Sequence, residues 1–351
     1  MSYIKKPVAR HPGLRKNKLG LTARDYEGSM STLCAGCGHD SVTAALIQSF
    51  FELDVEPHRV AKLSGIGCSS KTPTYFVSEA HGFNSVHGRM PSIAAGANAA
   101  HRDLLYVGIS GDGDSLSIEL GQFLHAIRRN VNMLYVLENN GVYGLTKGQF
   151  SASADVGTKS KKGEVNRQGP IDPVNVALTL GATFVARSFS GDKQQLVPIL
   201  KAGLRHNGFA FVDVISPCVT FNDHVGSTKS YAYTRTHMHE VVETDFVPIM
   251  TEITAEYPKG TARTVKMHDG SSIRLRKVDD AYDPTDRGAV LDFLGEAQER
   301  GEIPTGLLYL GEAGADMHDV SETVERPLVE LSFEELCPGS AALAELQKSW
   351  W

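Results

Sequence analysis

Strand-sized apolar runs alternate with helix-period segments through most of the chain. The runs are Val60–Ser64, Leu104–Ser110, Met133–Leu137, Thr183–Ala186 and Ala210–Ile215, and their length and composition predict strands. Between the second and third, Leu116, Leu120, Phe123, Leu124 and Ile127 follow at spacings of four, three, one and three residues, which puts them on one face of a helix. Alternation of this kind predicts an α/β fold with a doubly wound, mostly parallel sheet.

The pattern breaks twice. Ser151–Pro170 is polar, rich in Ser, Gly and Lys, and follows neither period; a loop this long inside a compact domain is more often a functional lid than a linker. Past Val219 the alternation changes. Thr264–Val278 predicts a hairpin turning at Asp269-Gly270, Gly288–Arg300 a helix closed by Gly301, and Ala341–Gln347 a short helix ahead of Trp350 and Trp351. We divide the chain into an arm (1–30), a ligand-binding domain (31–223) and an extension for subunit contact (224–351).

Composition narrows the class. The 351 residues are 41% hydrophobic, and no apolar run approaches the roughly 20 residues of a spanning helix, so no membrane is expected. A net charge of −6 supplies no basic field of the kind that dominates nucleic-acid affinity, and nucleic acid is not an expected partner. The first 24 residues carry Lys5, Lys6, Arg10, Arg15, Lys16, Lys18 and Arg24 and no acid; without the apolar core of a secretory signal they read as a docking arm. Five cysteines, an odd number that includes a Cys-x-x-Cys pair, favour metal or redox chemistry over disulfides. The expected compartment is reducing and cytoplasmic.

The chemical motifs stand at the carboxyl ends of the predicted strands. Cys68 follows the first, Gly111-Asp112-Gly113-Asp114 the second, Asn139-Asn140 the third and Pro217-Cys218 the last, the edge where open α/β sheets bind ligands. A diphosphate held through a divalent ion needs glycines that let backbone amides approach phosphate, and hard oxygen ligands for Mg²⁺. Asp112, Asn140 and the carbonyl of Val142 supply that set. Cys34, Cys37, Cys68 and Cys218 supply four thiolates, enough for tetrahedral Zn²⁺ or a [4Fe–4S] cluster. Structural zinc sites usually draw on two close pairs; only one pair exists here, which favours a cluster. Cys337 has no such company and reads as structural.

Gly-Asp-Gly followed by Asn-Asn resembles the motif of the thiamine-diphosphate enzymes. With the cysteines, the runs Cys34–His39, Ser64–Lys71, His87-Gly88-Arg89, Gly111–Asp114, Asn139–Gln149 and Pro217-Cys218 resemble, in family order over roughly Ser31 to Asp223, the β subunit of the 2-oxoacid:ferredoxin oxidoreductases, most closely the 2-oxoglutarate type. The resemblance implies a pyrophosphate-module fold in which Cys34, Cys37, Cys68 and Cys218 ligate one [4Fe–4S] cluster and Asp112, Asn140 and Val142 bind Mg²⁺. It also implies that Ile66, Gly67, Cys68, Ser69, His87, Gly113, Asp114, Gly144 and Leu145 line thiamine diphosphate. Lys71, three residues past Cys68, would hold the carboxylate of a 2-oxoacid as a charge-assisted contact. Lys147 is a second cation on a mobile loop, with less weight. His39 and Arg89 each have a structural reading as good as a functional one.

The implied activity is oxidative decarboxylation of a 2-oxoacid to acyl-CoA and CO₂, with electrons passing through the cluster to ferredoxin, or the reverse carboxylation. The family places the acid that activates the cofactor, and most contacts to substrate and coenzyme A, on an α subunit, so the chain is expected to work in an αβ or (αβ)₂ assembly. Pyruvate in place of 2-oxoglutarate, a non-redox thiamine-diphosphate decarboxylase or synthase, and a zinc-bearing scaffold subunit remain as alternatives.

Overall fold

The computed structural model describes residues 13–247, 262–266, 272–277, 282–312, 314–337 and 339–350. The start of the basic arm and the turn expected at Asp269-Gly270 lie outside them. Twelve strands are described. They are β1 (Val60–Ser64), β2 (His81–Asn84), β3 (Leu105–Gly111), β4 (Met133–Asn139), β5 (Val142–Tyr143), β6 (Gln149–Phe150), β7 (Phe184–Phe189), β8 (Phe209–Ile215), β9 (Met238–Val247), β10 (Ala262–Lys266), β11 (Ser272–Lys277) and β12 (Ile303–Leu310). Ten form one sheet in the order β10-β11-β9-β12-β7-β8-β4-β3-β1-β2.

From β7 to β2 every neighbouring pair is parallel. All residues of β1, β4, β7 and β8 are buried, as a sheet covered by helices on both faces requires. Helices α1 (Gly38–Glu52), α2 (Met90–Ala100), α3 (Leu120–Arg128), α4 (Pro173–Thr179) and α5 (Lys193–Arg205) cover it. Phe123 of α3 packs its ring against Tyr135 of β4 and Phe211 of β8 with centroids 5.0 and 5.2 Å away, which keys that helix to the centre of the sheet. The predicted face holds at Phe123 and Ile127, both buried. Leu116 falls instead in a wide π-type turn, Gly113–Ile118, before α3 begins, a distortion common at functional sites.

Beyond Asp223 the chain continues the same sheet. After α6 (Tyr231–His237), β9 runs parallel to β12, and β12 pairs antiparallel with β7. The expected hairpin is β10–β11, with Lys266 opposite Ser272. Helix α7 (Arg287–Glu299) ends before Gly301, whose φ of 72° suits the left-handed turn. The last helices, α8 (Met317–Val320), α9 (Phe333–Leu336) and α10 (Gly339–Lys348), follow β12, and α9 and α10 bury no residue.

Strand order decides where the motifs meet. β1, β3, β4 and β8 are consecutive neighbours, and parallel strands stand about 4.8 Å apart. The loops bearing Cys68, Asp112, Asn140 and Cys218 therefore leave one edge side by side.

Candidate active site

Asp112 is buried at the end of β3. Its Oδ2 accepts from Gly141 N at 2.8 Å and from the hydroxyls of Ser151 and Ser153, each at 2.5 Å, and Oδ1 accepts from Asn140 N at 3.4 Å. Asn140 Oδ1 in turn accepts from Val142 N at 3.0 Å. Gly141 makes the turn possible: its φ is 74°, and a Cβ there would stand 2.6 Å from Asn222 Nδ2. Among the described residues Asp112 has no ion pair. A buried carboxylate surrounded only by neutral donors fits a hard divalent cation.

Asp114 ties three loops together. Its Oδ2 accepts from Ile66 N and its Oδ1 from Gly88 N, both at 3.0 Å. A Cβ on Gly65 would lie 1.7 Å from Oδ2, so the approach requires glycine. Gly113 is equally committed: a Cβ would meet the Tyr143 ring at 2.5 Å, and Tyr143 OH donates to Gly113 O at 2.7 Å. Burial raises the Asp114 carboxyl above its ordinary range. The cradle expected for a diphosphate, from Ile66 and Gly67 through His87 to Gly113, is thus gathered around one buried side chain. His87 itself is exposed and near enough to favour the Asp114 charge.

The four cysteines converge from positions 34 to 218. Cys37 precedes α1, and its N–H donates to Cys34 O at 3.0 Å. Gly38 N donates to Pro217 O at 3.3 Å, and a Cβ on Gly38 would meet Ser216 Oγ at 2.5 Å, so the Cys-x-x-Cys loop is pressed onto the residues before Cys218. Thr220 Oγ1 donates to Cys34 Sγ at 3.5 Å. A Cβ on Gly144 would stand 3.4 Å from Cys68 Sγ and 3.5 Å from Cys218 Sγ, bringing the residue expected to line the cofactor directly over two thiols. Burial, followed by the charges of Glu138, Cys218 and Cys68, pushes the Cys37 thiol up to about 12. Burial likewise raises Cys68 and Cys218, which also feel each other or Cys34. Cys34 is exposed, and so is Cys337.

Beneath the cysteines lies a buried polar group that sequence patterns did not reveal. Glu138 accepts from Thr72 Oγ1 at 3.0 and 3.2 Å, and burial raises its carboxyl well above the ordinary range. His39 Nδ1 is 3.5 Å from Glu138 and shares a 2.7 Å hydrogen bond with Ser216 Oγ. Burial lowers His39 to about 4, so the imidazole is neutral, and its Nε2 lies 3.5 Å from Asn140 Nδ2. Arg89 donates to Gly88 O at 2.9 Å. Lys71 is half-buried and close enough to Cys68 to favour its thiolate.

A second missed feature is a polar ladder leading away from Asp112. Ser153 Oγ reaches Asn139 Oδ1 at 2.9 Å as well as Asp112; Asn139 Nδ2 donates to Asp213 Oδ1 at 3.1 Å. Asp213 Oδ2 accepts from Arg187 Nε at 2.8 Å, and Arg187 Nη2 donates to Asp172 Oδ1 at 2.6 Å. The signal for Ser151 and Ser153 is their position at the start of the polar Ser151–Pro170 segment, two small hydroxyls soon after β6.

Fold and site together define a thiamine-diphosphate-binding domain. Residues 65–214 match the family described as thiamine pyrophosphate enzyme, C-terminal TPP binding domain. The 2-oxoacid:ferredoxin oxidoreductase subunit beta of Saccharolobus solfataricus is 41% identical over 191 residues, 54% of this chain and 63% of that protein. The 2-oxoglutarate oxidoreductase subunit KorB of Mycobacterium tuberculosis is 43% identical over 192 residues, 54% of this chain and 51% of that protein. The 2-oxoglutarate synthase subunit KorB of Methanocaldococcus jannaschii is 35% identical over 189 residues, covering 69% of that protein. A solved 2-oxoglutarate:ferredoxin oxidoreductase from Magnetococcus marinus, with 2-oxoglutarate, coenzyme A and succinyl-CoA bound, superposes with a TM-score of 0.70 at 30% identity over 86% of this chain and 89% of that one. The chain belongs to the β-subunit family of the 2-oxoacid:ferredoxin oxidoreductases. It matches the first two of these relatives over between half and two thirds of their own length.

Proposed function

We propose that the chain is the β half of a thiamine-diphosphate-dependent 2-oxoacid:ferredoxin oxidoreductase that acts on 2-oxoglutarate, forming succinyl-CoA and CO₂ or running in reverse. The observation that carries this reading is the position of Gly144, which belongs to the hairpin after Asn140 and rests over the Cys68 and Cys218 sulfurs. Cofactor cradle and thiol set are one structure, as electron transfer between them requires.

Asp112, Asn140 and the Val142 carbonyl would hold Mg²⁺, and the loops tied by Asp114 would hold the diphosphate. Cys34, Cys37, Cys68 and Cys218 would hold a [4Fe–4S] cluster. No group of three or more His, Cys, Asp or Glu among the described residues is gathered to hold a single metal ion. When bound, thiamine diphosphate supplies an electron sink for loss of CO₂ and the cluster a one-electron relay.

The chain's own part is positional. Asp114 fixes the cradle, and Glu138 and the neighbouring thiols set the field at Cys37 and Cys68. Half-buried Lys71 presents a cation for a substrate carboxylate. The exposed apolar side chains of Phe83, Val86, Ile118 and Leu145, spread over the loops of the cradle, suit coverage by an α subunit that completes the site. Exposed Cys34 leaves the cluster near the surface, where ferredoxin can accept electrons. Among the described residues no helix is long and apolar enough to cross a membrane.

The test is an anaerobic assay of the αβ complex with coenzyme A and ferredoxin across 2-oxoglutarate, pyruvate and other 2-oxoacids. Reduction of ferredoxin fastest with 2-oxoglutarate supports the reading, and decarboxylation without ferredoxin reduction contradicts it.

A further inference from the structure

Backbone strain and a buried charge meet at one point on the segment that follows Cys68. Val77 is fully buried and sits at φ 40°, a left-handed conformation that makes a β-branched residue an outlier. Such strain persists only where the surroundings over-determine it, and it clusters at functional sites. Lys62, in the middle of β1, is buried beside it. Its Nζ donates to Phe76 O at 2.7 Å and to Val77 O at 2.9 Å, and lies 5.3 Å from the centroid of the Phe76 ring. Among the described residues no carboxylate pairs with it, and burial pulls its ammonium down to about 8. A buried ammonium without a counter-charge is costly. Both costs fall on the same two peptide groups, those of Phe76 and Val77.

This clasp closes the far end of a turn that begins at Cys68. Ser69–Tyr75 is a 3₁₀ segment of seven residues with Cys68 as its N-cap and Pro73 inside it. Runs of that length are uncommon, and proline removes a donor from the ladder, so the segment must be held from outside. At the near end Ser70 N donates to Gly67 O at 3.3 Å and Lys71 N to Cys68 O at 3.1 Å. At the far end Val77 N donates to Tyr26 O at 2.7 Å and Gly28 N to Tyr75 O at 2.8 Å. Tyr26 is itself buried, its hydroxyl donating to Val55 O at 2.7 Å. Lys71 lies between the two anchors.

We propose that Lys62 is a positioning residue for the substrate: by holding the Phe76 and Val77 carbonyls it keeps Val77 left-handed, fixes the path of the turn and so sets where Lys71 presents its ammonium. The inference rests on the proposed contact of Lys71 with a 2-oxoacid carboxylate and adds the group that aims it. Lys62 acts through Lys71 and touches no substrate.

The αβ complex tests it with three variants. Lys62→Met keeps the length and removes the donor, Lys62→Gln is shorter and retains a donor, and Lys62→Met/Val77→Gly gives the turn a residue that adopts positive φ without a clasp. Lys62→Met should raise KM for 2-oxoglutarate about 5- to 50-fold with kcat within about threefold of the parent, and leave iron and thiamine diphosphate content unchanged. Hydrogen exchange should quicken over residues 69–77 and stay slow in β3 and β4. The double variant should return KM to within about threefold of Val77→Gly alone. Lys62→Gln should give a smaller rise of the same kind, and it decides the matter if Lys62→Met is not recovered folded. Unchanged KM in the Lys62 variants alongside a raised KM in Lys71→Met overturns the proposal. So does an equal rise with and without Val77→Gly, or faster exchange across the whole sheet with loss of iron, which would make Lys62 a stability residue alone. If Lys71→Met leaves KM unchanged, or the parent oxidises no 2-oxoacid, the functional reading itself fails and the proposal with it.

Discussion

Asp114 Oδ2 accepts the backbone N–H of Ile66 at 3.0 Å across 48 residues of sequence, joining the diphosphate motif to the loop that ends in Cys68. Asp114→Asn keeps the size but offers one acceptor oxygen to two buried N–H groups, those of Ile66 and Gly88. An orphaned buried donor costs about 1–3 kcal/mol, so thiamine diphosphate should bind roughly 5- to 150-fold more weakly by calorimetry. Gly65→Ala, whose Cβ would collide with the same oxygen, should act in the same direction. Unchanged affinity in both would show that the strut has no role in the cradle.

Arg187 is buried between Asp172 and Asp213. Arg187→Met leaves the Asp213 charge buried and uncompensated, a loss of about 3–5 kcal/mol, seen as a fall in thermal stability. Arg187→Met/Asp213→Asn should recover much of it. Equal destabilisation in the single and double variants would mean that packing, not charge, is what Arg187 provides.

Burial, reinforced by the charge of Asp114, pushes the Glu119 carboxyl up to about 7, whereas an unfolded chain holds such a group near 4.3. The folded state then binds more protons between those values. Its stability is full below the lower value and falls as pH rises through the upper one, by on the order of 3 kcal/mol. Glu119→Gln lacks this loss, so denaturant titrations from pH 4 to pH 8 should show the variant gaining on the parent. A difference independent of pH would mean that Glu119 is ionised throughout.

Much of this arrangement was legible in the sequence. The motifs stand directly after apolar runs, and β1, β3, β4 and β8 fall on those runs with edges moved by two residues at most; parallel strands then force their loops to one edge. The rest depended on tertiary partners. Asp114 stands in the diphosphate motif, but its backbone donors, 26 and 48 residues away, were not legible in the sequence. Ser153, Asn139 and Asp213 form a ladder only because β4 pairs with β8. Strand β12, with Pro304 and Gly306 inside it and an irregular register against β7, carries no clean period.

Lys71→Met retains the aliphatic length and removes the charge. Loss of a charge-assisted carboxylate contact of about 1.5–3 kcal/mol should lower kcat/KM for the 2-oxoacid roughly 10- to 150-fold, with iron and thiamine diphosphate content unchanged. A value within about threefold of the parent for both 2-oxoglutarate and pyruvate would make Lys71 a surface residue.

The central claim is that one sheet edge holds a cluster on Cys34, Cys37, Cys68 and Cys218 beside the thiamine diphosphate site. Metal analysis of anaerobically purified αβ protein tests it most directly, comparing the parent with Cys68→Ser and Cys337→Ser. We predict about four irons per β chain beyond any held by α in the parent and in Cys337→Ser, the content of one [4Fe–4S] cluster, and a sharp fall in Cys68→Ser. One zinc per chain without iron, or equal iron loss in both variants, would contradict the account.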